Sequence, residues 1–234
     1  MIPWSWIKSQ RINFEPGITC RLKCAGCFMR EEGMSKKKNP KKYQEQAWDR
    51  RYNVSIEKYK TIFKVFNRYE FCGNLSDPIY HPDFVDTLKY LKGKHKKISF
   101  RTNGSGKSEK WWKEVFKLCQ GEQWRWTFAL DGLPKDSHKY RINQDGEQVF
   151  EMMKLGKELG ANIKWQWIVF NYNQYDIQEG NLMATQYGIA FDYYHSTRWS
   201  TPFLKSLKPN KKHTIDSRNT TLAKATVKQL GIDI

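Results

Sequence analysis

The chain has 234 residues, within reach of one large domain, and its 39% hydrophobic and 15% aromatic content is enough to build a sizeable core. No run of about 18 apolar residues occurs, so no transmembrane helix or membrane partner is expected. Forty-one Lys and Arg against 24 Asp and Glu leave a formal net charge of +17, which attracts phosphates, nucleic acid or an acidic peptide without specifying which.

The opening "MIPWSWIKSQ" is too short and too quickly polar to be a cleavable signal, which predicts a cytoplasmic protein with reduced thiols. "RINFEPGIT" (11–19) reads as a strand running into a cysteine-bearing loop. The basic stretch 34–52 reads as an exposed loop or insertion. A helix follows over 55–68, with Ser55 as its N-cap and apolar residues at 56, 59, 62, 63 and 66 on one face. Then come a strand at 69–73, a helix from Pro82 to 94, and a strand at 96–104 ended by Asn-Gly. A helix over 108–119 is capped by Ser108, and a strand covers 123–132. A helix over 146–160 closes on Gly160, a strand covers 161–171, a helix 174–188 and a last strand 189–196. Six strands with intervening helices predict an α/β fold of parallel βα units, curled by right-handed crossovers into a partial (β/α)6 barrel over residues 1–198. Residues 199–234 form a basic C-terminal extension, with helical character near 219–231.

"ITCRLKCAGCF" (18–28) concentrates Cys20, Cys24 and Cys27 in a C-x3-C-x2-C array directly after the first strand. Five cysteines in all, unevenly spaced, do not form a disulfide framework. Four cysteines would close a zinc or iron–sulfur site, whereas three leave one coordination position to a non-protein ligand. Cys72 and Cys119 read as buried thiols.

The array and its strand-to-loop setting resemble the radical S-adenosylmethionine (SAM) superfamily. The likeness runs over roughly residues 11–198. It is to the peptide-modifying branch and to short members, some of them phage-encoded, that lack the C-terminal auxiliary-cluster extension. The resemblance implies that Cys20, Cys24 and Cys27 hold three irons of one [4Fe-4S] cluster while the fourth iron binds the amino and carboxylate groups of SAM. Five further strand ends carry weaker matches. "LSDP" (75–78) stands where a Gly-Gly-Glu-Pro-like segment meets the SAM ammonium, which implicates Ser76 and Asp77. "RTNG" (101–104) is similar to the family's Ser/Thr-Asn-Gly turn, with Thr102 and Asn103 toward the ligand. "ALDGLPKDSHKYR" (129–141) is similar to a segment that places Asp131 near the site, with Ala129 where a serine is common. "VFNYNQYDIQE" (169–179) implies that Asn171 or Asn173 binds the ribose. At strand six His195, Ser196 or Arg198 reaches the methionyl carboxylate, and the planar fork of Arg198 is the best suited. Gly26 and Phe28 flank the last cysteine near the adenine, although the Phe28 ring packing under the loop is the plainer reading. The resemblance also implies a low-potential electron donor of the flavodoxin or ferredoxin type. The net positive charge and the basic segments 34–52 and 205–213 favour a macromolecular substrate, a nucleic acid or an acidic peptide, with a phosphorylated small molecule as the alternative. Cys72 or Tyr140 is a candidate hydrogen donor. The rival expectation is a basic nucleic-acid-binding protein in which the three cysteines hold zinc and interleaved Trp and Lys grip a strand.

Overall fold

The computed structural model describes residues 3–27, 53–73, 76–199 and 202–210; the basic stretch 34–52, Phe28, Leu75 and the segment 219–231 lie outside the described residues. Six strands, β1 (Arg11–Phe14), β2 (Arg68–Phe71), β3 (Lys97–Thr102), β4 (Trp124–Ala129), β5 (Ile163–Val169) and β6 (Ala190–His195), form one sheet in sequential order. Every neighbouring pair is parallel. β1 and β6 do not pair, so the sheet is a partial (β/α)6 barrel open along one side. Among the described residues no helix is long and apolar enough to cross a membrane.

The strand sequences alternate with period two, and the alternation decides which face carries the core. Tyr69, Phe71, Ile98, Phe100, Trp126, Phe128, Trp165 and Trp167 all point to the helix-covered face and are buried. Large rings contribute most of that burial. Trp126 stacks on Phe100 with centroids 4.3 Å apart and meets Trp112 edge-on at 5.6 Å. Trp112 belongs to the helix Glu109–Leu118, whose first turn is capped by Ser108 accepting a hydrogen bond from the Trp111 N–H at 3.3 Å. The intervening strand positions Glu70, Ser99, Arg101, Arg125, Thr127, Lys164, Gln166 and Asp192 fall on the opposite, concave face in matching register. That face is polar, in contrast to the apolar filling of closed barrels.

Two helices depart from expectation. The pattern over 55–68 yields α-helix only at Ile56–Tyr59, continued by a 3-10 turn at Lys60–Lys64. The Tyr69 hydroxyl, arriving from β2, explains the change. It donates to the carbonyls of Ile62 (2.7 Å) and Phe66 (2.9 Å) and accepts from the Phe66 N–H at 3.0 Å. It thus occupies the two groups that the next helical bond would join. Ser55 makes no side-chain cap, and Asp83 Oδ2 accepts the Ile56 N–H instead, at 2.9 Å. A short helix at Trp4–Ser9 precedes β1 and was not anticipated by periodicity.

After β6 the chain returns to the barrel mouth. Residues Pro202–Lys205 form a helical turn. Leu204 is buried with Tyr140 and Phe170, and Cys24, Ala25 and Trp199 pack against that cluster. Asn171 fixes the return by donating from its backbone N–H to Leu207 O (2.9 Å) and from Nδ2 to Ser206 O (2.7 Å).

Candidate active site

Parallel barrels gather their loops at the C-terminal ends of the strands, and all three cysteines sit there in the loop after β1. The loop is held by its backbone. The N–H groups of Lys23 and Ala25 donate to the carbonyls of Ile142 (3.0 Å) and Tyr140 (3.1 Å), and Cys27 N–H closes a turn on Cys24 O at 3.1 Å. Gly26 must be small, because a β-carbon there would meet Leu204 at 2.9 Å and the Tyr140 hydroxyl at 3.1 Å.

Cys20, Cys24 and Cys27 form no disulfide and face one cavity of about 290 Å³. Gly26, Ser76, Asp77, Thr102, Asn103 and Arg198 share its wall, as do Cys72, Arg101, Tyr140, Arg141 and Gln166. Burial pushes the Cys20 thiol well up, and Asp77 and the other two cysteines add to the rise. Burial takes Cys24 up to about 11, against the opposing pull of Arg141. Two desolvated thiols, each pushed further up by the neighbouring Cys27, call for a cationic group to replace their protons. Asn103 Nδ2 already points a donor at Cys20 Sγ, 3.6 Å away.

The expected ligand residues divide by how their polar atoms are used. Asp77 is buried and ties the β2 loop to the β3 turn: Oδ1 accepts from Thr102 Oγ1 (2.9 Å) and Ile79 N (3.3 Å), and Oδ2 from Asn103 N (2.6 Å). Gly104 closes that turn at φ +74°, where a β-carbon would also strike Phe128 at 2.8 Å. Gln144 clamps the neighbouring strand ends, its Nε2 donating to Asn103 O (2.7 Å) and Ala129 O (3.0 Å). The Ser76 hydroxyl and N–H both donate to Glu15 Oε1, at 2.9 and 2.7 Å.

Asp131, Asn171 and Asn173 do not reach the cavity wall. Asp131 is fully buried, accepts the Ile168 N–H at 2.7 Å and pairs with Arg141, whose Nε lies 2.7 Å from Oδ2. Asn173, also fully buried, accepts from Phe170 N at 2.7 Å and donates to Ile168 O at 3.0 Å, which makes it the staple of the turn after β5. Asn171 is spent on the returning chain. Sequence reasoning passed over Arg141, Arg101 and Gln166. Arg141 ends a segment already singled out, and the period-two alternation assigns Arg101 and Gln166 to the concave face.

Burial raises the Asp77 carboxyl to about 6, against the lowering effect of its three donors. Its folded-state pKa thus exceeds the unfolded one, so its contribution to stability is complete below about pH 4 and is lost as pH rises through about 6. Asp77→Asn is expected to remove this component. Urea titrations of ligand-free wild type and variant at pH 4.5 and 7.5 should differ in pH dependence by about 2–3 kcal/mol; identical pH dependences refute it.

An open barrel of six parallel strands with a three-cysteine loop after its first strand is the fold of the radical SAM enzymes. The solved structures bear this out. Streptococcus suis SuiB bound to its precursor peptide SuiA superposes with a TM-score of 0.66 at 13% identity, covering 97% of this chain and 48% of that one. SuiB bound to S-adenosylmethionine gives 0.63 at 13% identity, covering 96% and 48%. The enzyme anSMEcpe with bound AdoMet gives 0.56 at 16% identity, covering 79% and 49%. The chain therefore spans about half the length of these structures. No family model and no curated relative matches the sequence.

Proposed function

We propose that this chain is a radical SAM enzyme that holds one [4Fe-4S] cluster on Cys20, Cys24 and Cys27, binds SAM in the cavity they face, and acts on a peptide. One observation carries the reading: three thiols on a single loop, two of them desolvated by burial, open into a cavity walled by the C-terminal ends of the strands. The donor set fits the cluster better than a lone zinc ion. Three cysteines would give one thiolate to each of three irons and leave the fourth iron to the amino and carboxylate groups of SAM, whereas a structural zinc site takes four protein ligands.

When bound, cluster and SAM together supply a 5′-deoxyadenosyl radical that takes hydrogen from a substrate carbon. The chain's part is to bind, orient and exclude. Asn103 directs an N–H at Cys20, and Arg141 keeps a positive charge beside Cys24. Asp77 and Ser76 face the cavity as partners for an ammonium, and Arg198 as the partner for a carboxylate. A bound ammonium favours the ionised form of Asp77, offsetting the desolvation that raises it. Tyr140, Leu204 and Phe170 wall the cysteine loop from water.

A peptide suits the concave face better than a nucleic acid. Glu70 pairs with Arg11 and Arg101, and Lys164 with Asp192, so the face carries both signs of charge, whereas a phosphate backbone requires a continuous cationic track. SuiB has been solved with a precursor peptide and anSMEcpe with a Cys-containing peptide, which supports the same class. Anaerobic reconstitution tests the whole reading. Iron and sulfide in equal amounts, visible absorption and release of 5′-deoxyadenosine from SAM are expected. A colourless protein holding zinc, with salt-sensitive binding to DNA or RNA, would establish the rival instead.

Electrons reach the site from a flavodoxin- or ferredoxin-type donor in this reading. Arg21, next to Cys20, and Lys107 line an outer cleft of about 460 Å³, with Lys107 Nζ 4.7 Å from the Trp111 ring centre. Such donors are acidic, and charge reversal at a docking rim slows association. Arg21→Glu with Lys107→Glu is expected to slow reduction by flavodoxin about ten-fold relative to reduction by dithionite, measured by stopped-flow bleaching. An unchanged ratio excludes this cleft as the docking face.

A further inference from the structure

A second chamber, also of about 290 Å³, opens on the concave face beside the cysteine cavity. Arg101, Gln166, Ile168 and Arg198 belong to both walls, and residues 194–197, from Tyr194 at the end of β6 onward, complete the second. A group seated there is separated from the cysteine cavity by no more than these shared side chains. That is where a substrate must sit if hydrogen is to be taken from it.

We propose that this chamber is the substrate site and that it receives a carboxylate of the peptide, an Asp or Glu side chain or a C-terminus, on the guanidinium of Arg101. The chemistry that follows binding rests on the function proposed above; the recognition itself does not.

The chamber wall contains two arginines and no Asp or Glu. Arg101 is aimed before any ligand arrives. Its Nε donates to Glu70 on β2, and its Nη1 donates to Gln166 Oε1 on β5 at 2.5 Å. Those bonds engage two of the five N–H groups of a guanidinium, and the side chain remains 43% exposed toward the chamber. The carboxylates nearby do not cancel its charge. Glu70 is shared with Arg11 at 3.1 Å, so one negative group is divided between two positive ones. Asp192 is paired with Lys164 and also accepts the Tyr194 hydroxyl at 2.9 Å. The local balance is positive and concentrated on one planar fork, which matches the two oxygens of a carboxylate. A phosphate strand would have to pass Glu70 and Asp192, so a single carboxylate on an otherwise mixed-charge peptide is the better partner.

The 234-residue chain, without cluster or SAM, is titrated with three blocked pentapeptides identical except for a central Glu, Gln or phosphoserine. Binding is followed by saturation-transfer NMR. Wild type is expected to prefer Glu over Gln by about ten-fold or more, the scale of a charge-assisted hydrogen bond, and Arg101→Gln to reduce the ratio below about two-fold. Arg101→Lys, which keeps the charge and loses the fork, should fall between. Arg101→Gln also removes a partner of Glu70. A measurement on wild type therefore stands beside it: the Glu peptide should shield Arg101 from phenylglyoxal, as located by mass spectrometry. Equal binding of Glu and Gln peptides, binding of neither, or no protection of Arg101 overturns the proposal. Preference for phosphoserine overturns it in favour of a phosphate. None of these readings depends on iron or SAM, so a failure of the cluster assignment and a failure of this site are told apart.

Discussion

Cys24→Ala is expected to reduce iron and sulfide incorporation and 5′-deoxyadenosine release to background while the protein stays folded. The loop around Cys24 owes its shape to the backbone. The Ala25 N–H bond to Tyr140 O and the Cys27 N–H bond to Cys24 O do not involve the thiol, so alanine keeps both. The half-buried sulfur packs against the Tyr140–Phe170–Leu204 cluster, and deleting it costs about 1 kcal/mol. The loss of function is far larger, because three thiols are already one short of a closed set and two leave the group with a second open metal position. Cys119→Ala supplies the opposite phenotype. Cys119 is fully buried in the main core, away from the cavity wall, so its removal should lower the melting temperature and leave iron content unchanged. Iron and sulfide assays with thermal melts on the two variants separate anchor from core. A Cys24→Ala protein with full iron content would refute the assignment.

The parallel barrel was legible because its strands carry their faces openly. "KWQWIV" alternates polar and apolar residues over β5, and the structure buries Trp165, Trp167 and Val169 while leaving Lys164, Gln166 and Ile168 on the concave side. The cysteine array was legible because three thiols so close in sequence must share a loop. What could not be read was the use of each side chain's hydrogen-bonding capacity. Asn171 and Asn173 stand two apart in a turn, and spacing does not reveal that one staples the turn while the other captures residues 206 and 207. An Asn beside a strand end is as ready to bond its own backbone as a ligand. Asp131 was expected at the ligand, but its partner is Arg141, ten residues away across a 3-10 segment at Pro134–Lys139. The early end of the helix after Ser55 was hidden for a related reason. It depends on the Tyr69 hydroxyl, which enters from a neighbouring strand, and local periodicity carries no trace of such a contact.

Arg141 is where the largest loss of stability is expected. Its guanidinium and Asp131 are both buried, with side-chain exposures of 13% and 0%, and the pair holds together two parts of the site. Asp131 also receives the Ile168 N–H at the end of β5. The carbonyls of Tyr140 and Ile142, on either side of Arg141, take the N–H groups of Ala25 and Lys23 from the cysteine loop. Arg141→Met keeps the bulk and removes the charge, leaving a carboxylate in the interior without its counter-ion. Breaking a buried pair from one side costs about 3–5 kcal/mol. Burial already pushes the Asp131 carboxyl up, and Arg141 is the chief influence holding it down. In the variant the acid therefore resolves its position by taking a proton. With a folded-state pKa above the unfolded one, Asp131 contributes stability at low pH that disappears as pH rises, so Arg141→Met should be least impaired near pH 4 and most impaired above neutrality. Asp131→Asn combined with Arg141→Met should regain much of the loss and abolish that pH dependence, since no charge then remains to bury. Urea unfolding of the three proteins across this range is the check, and an Arg141→Met variant as stable as wild type at pH 7.5 would show that the pair is not structural. The same substitution also withdraws the positive charge that opposes the rise of the Cys24 thiol, so iron uptake should fall even at the pH where the fold survives.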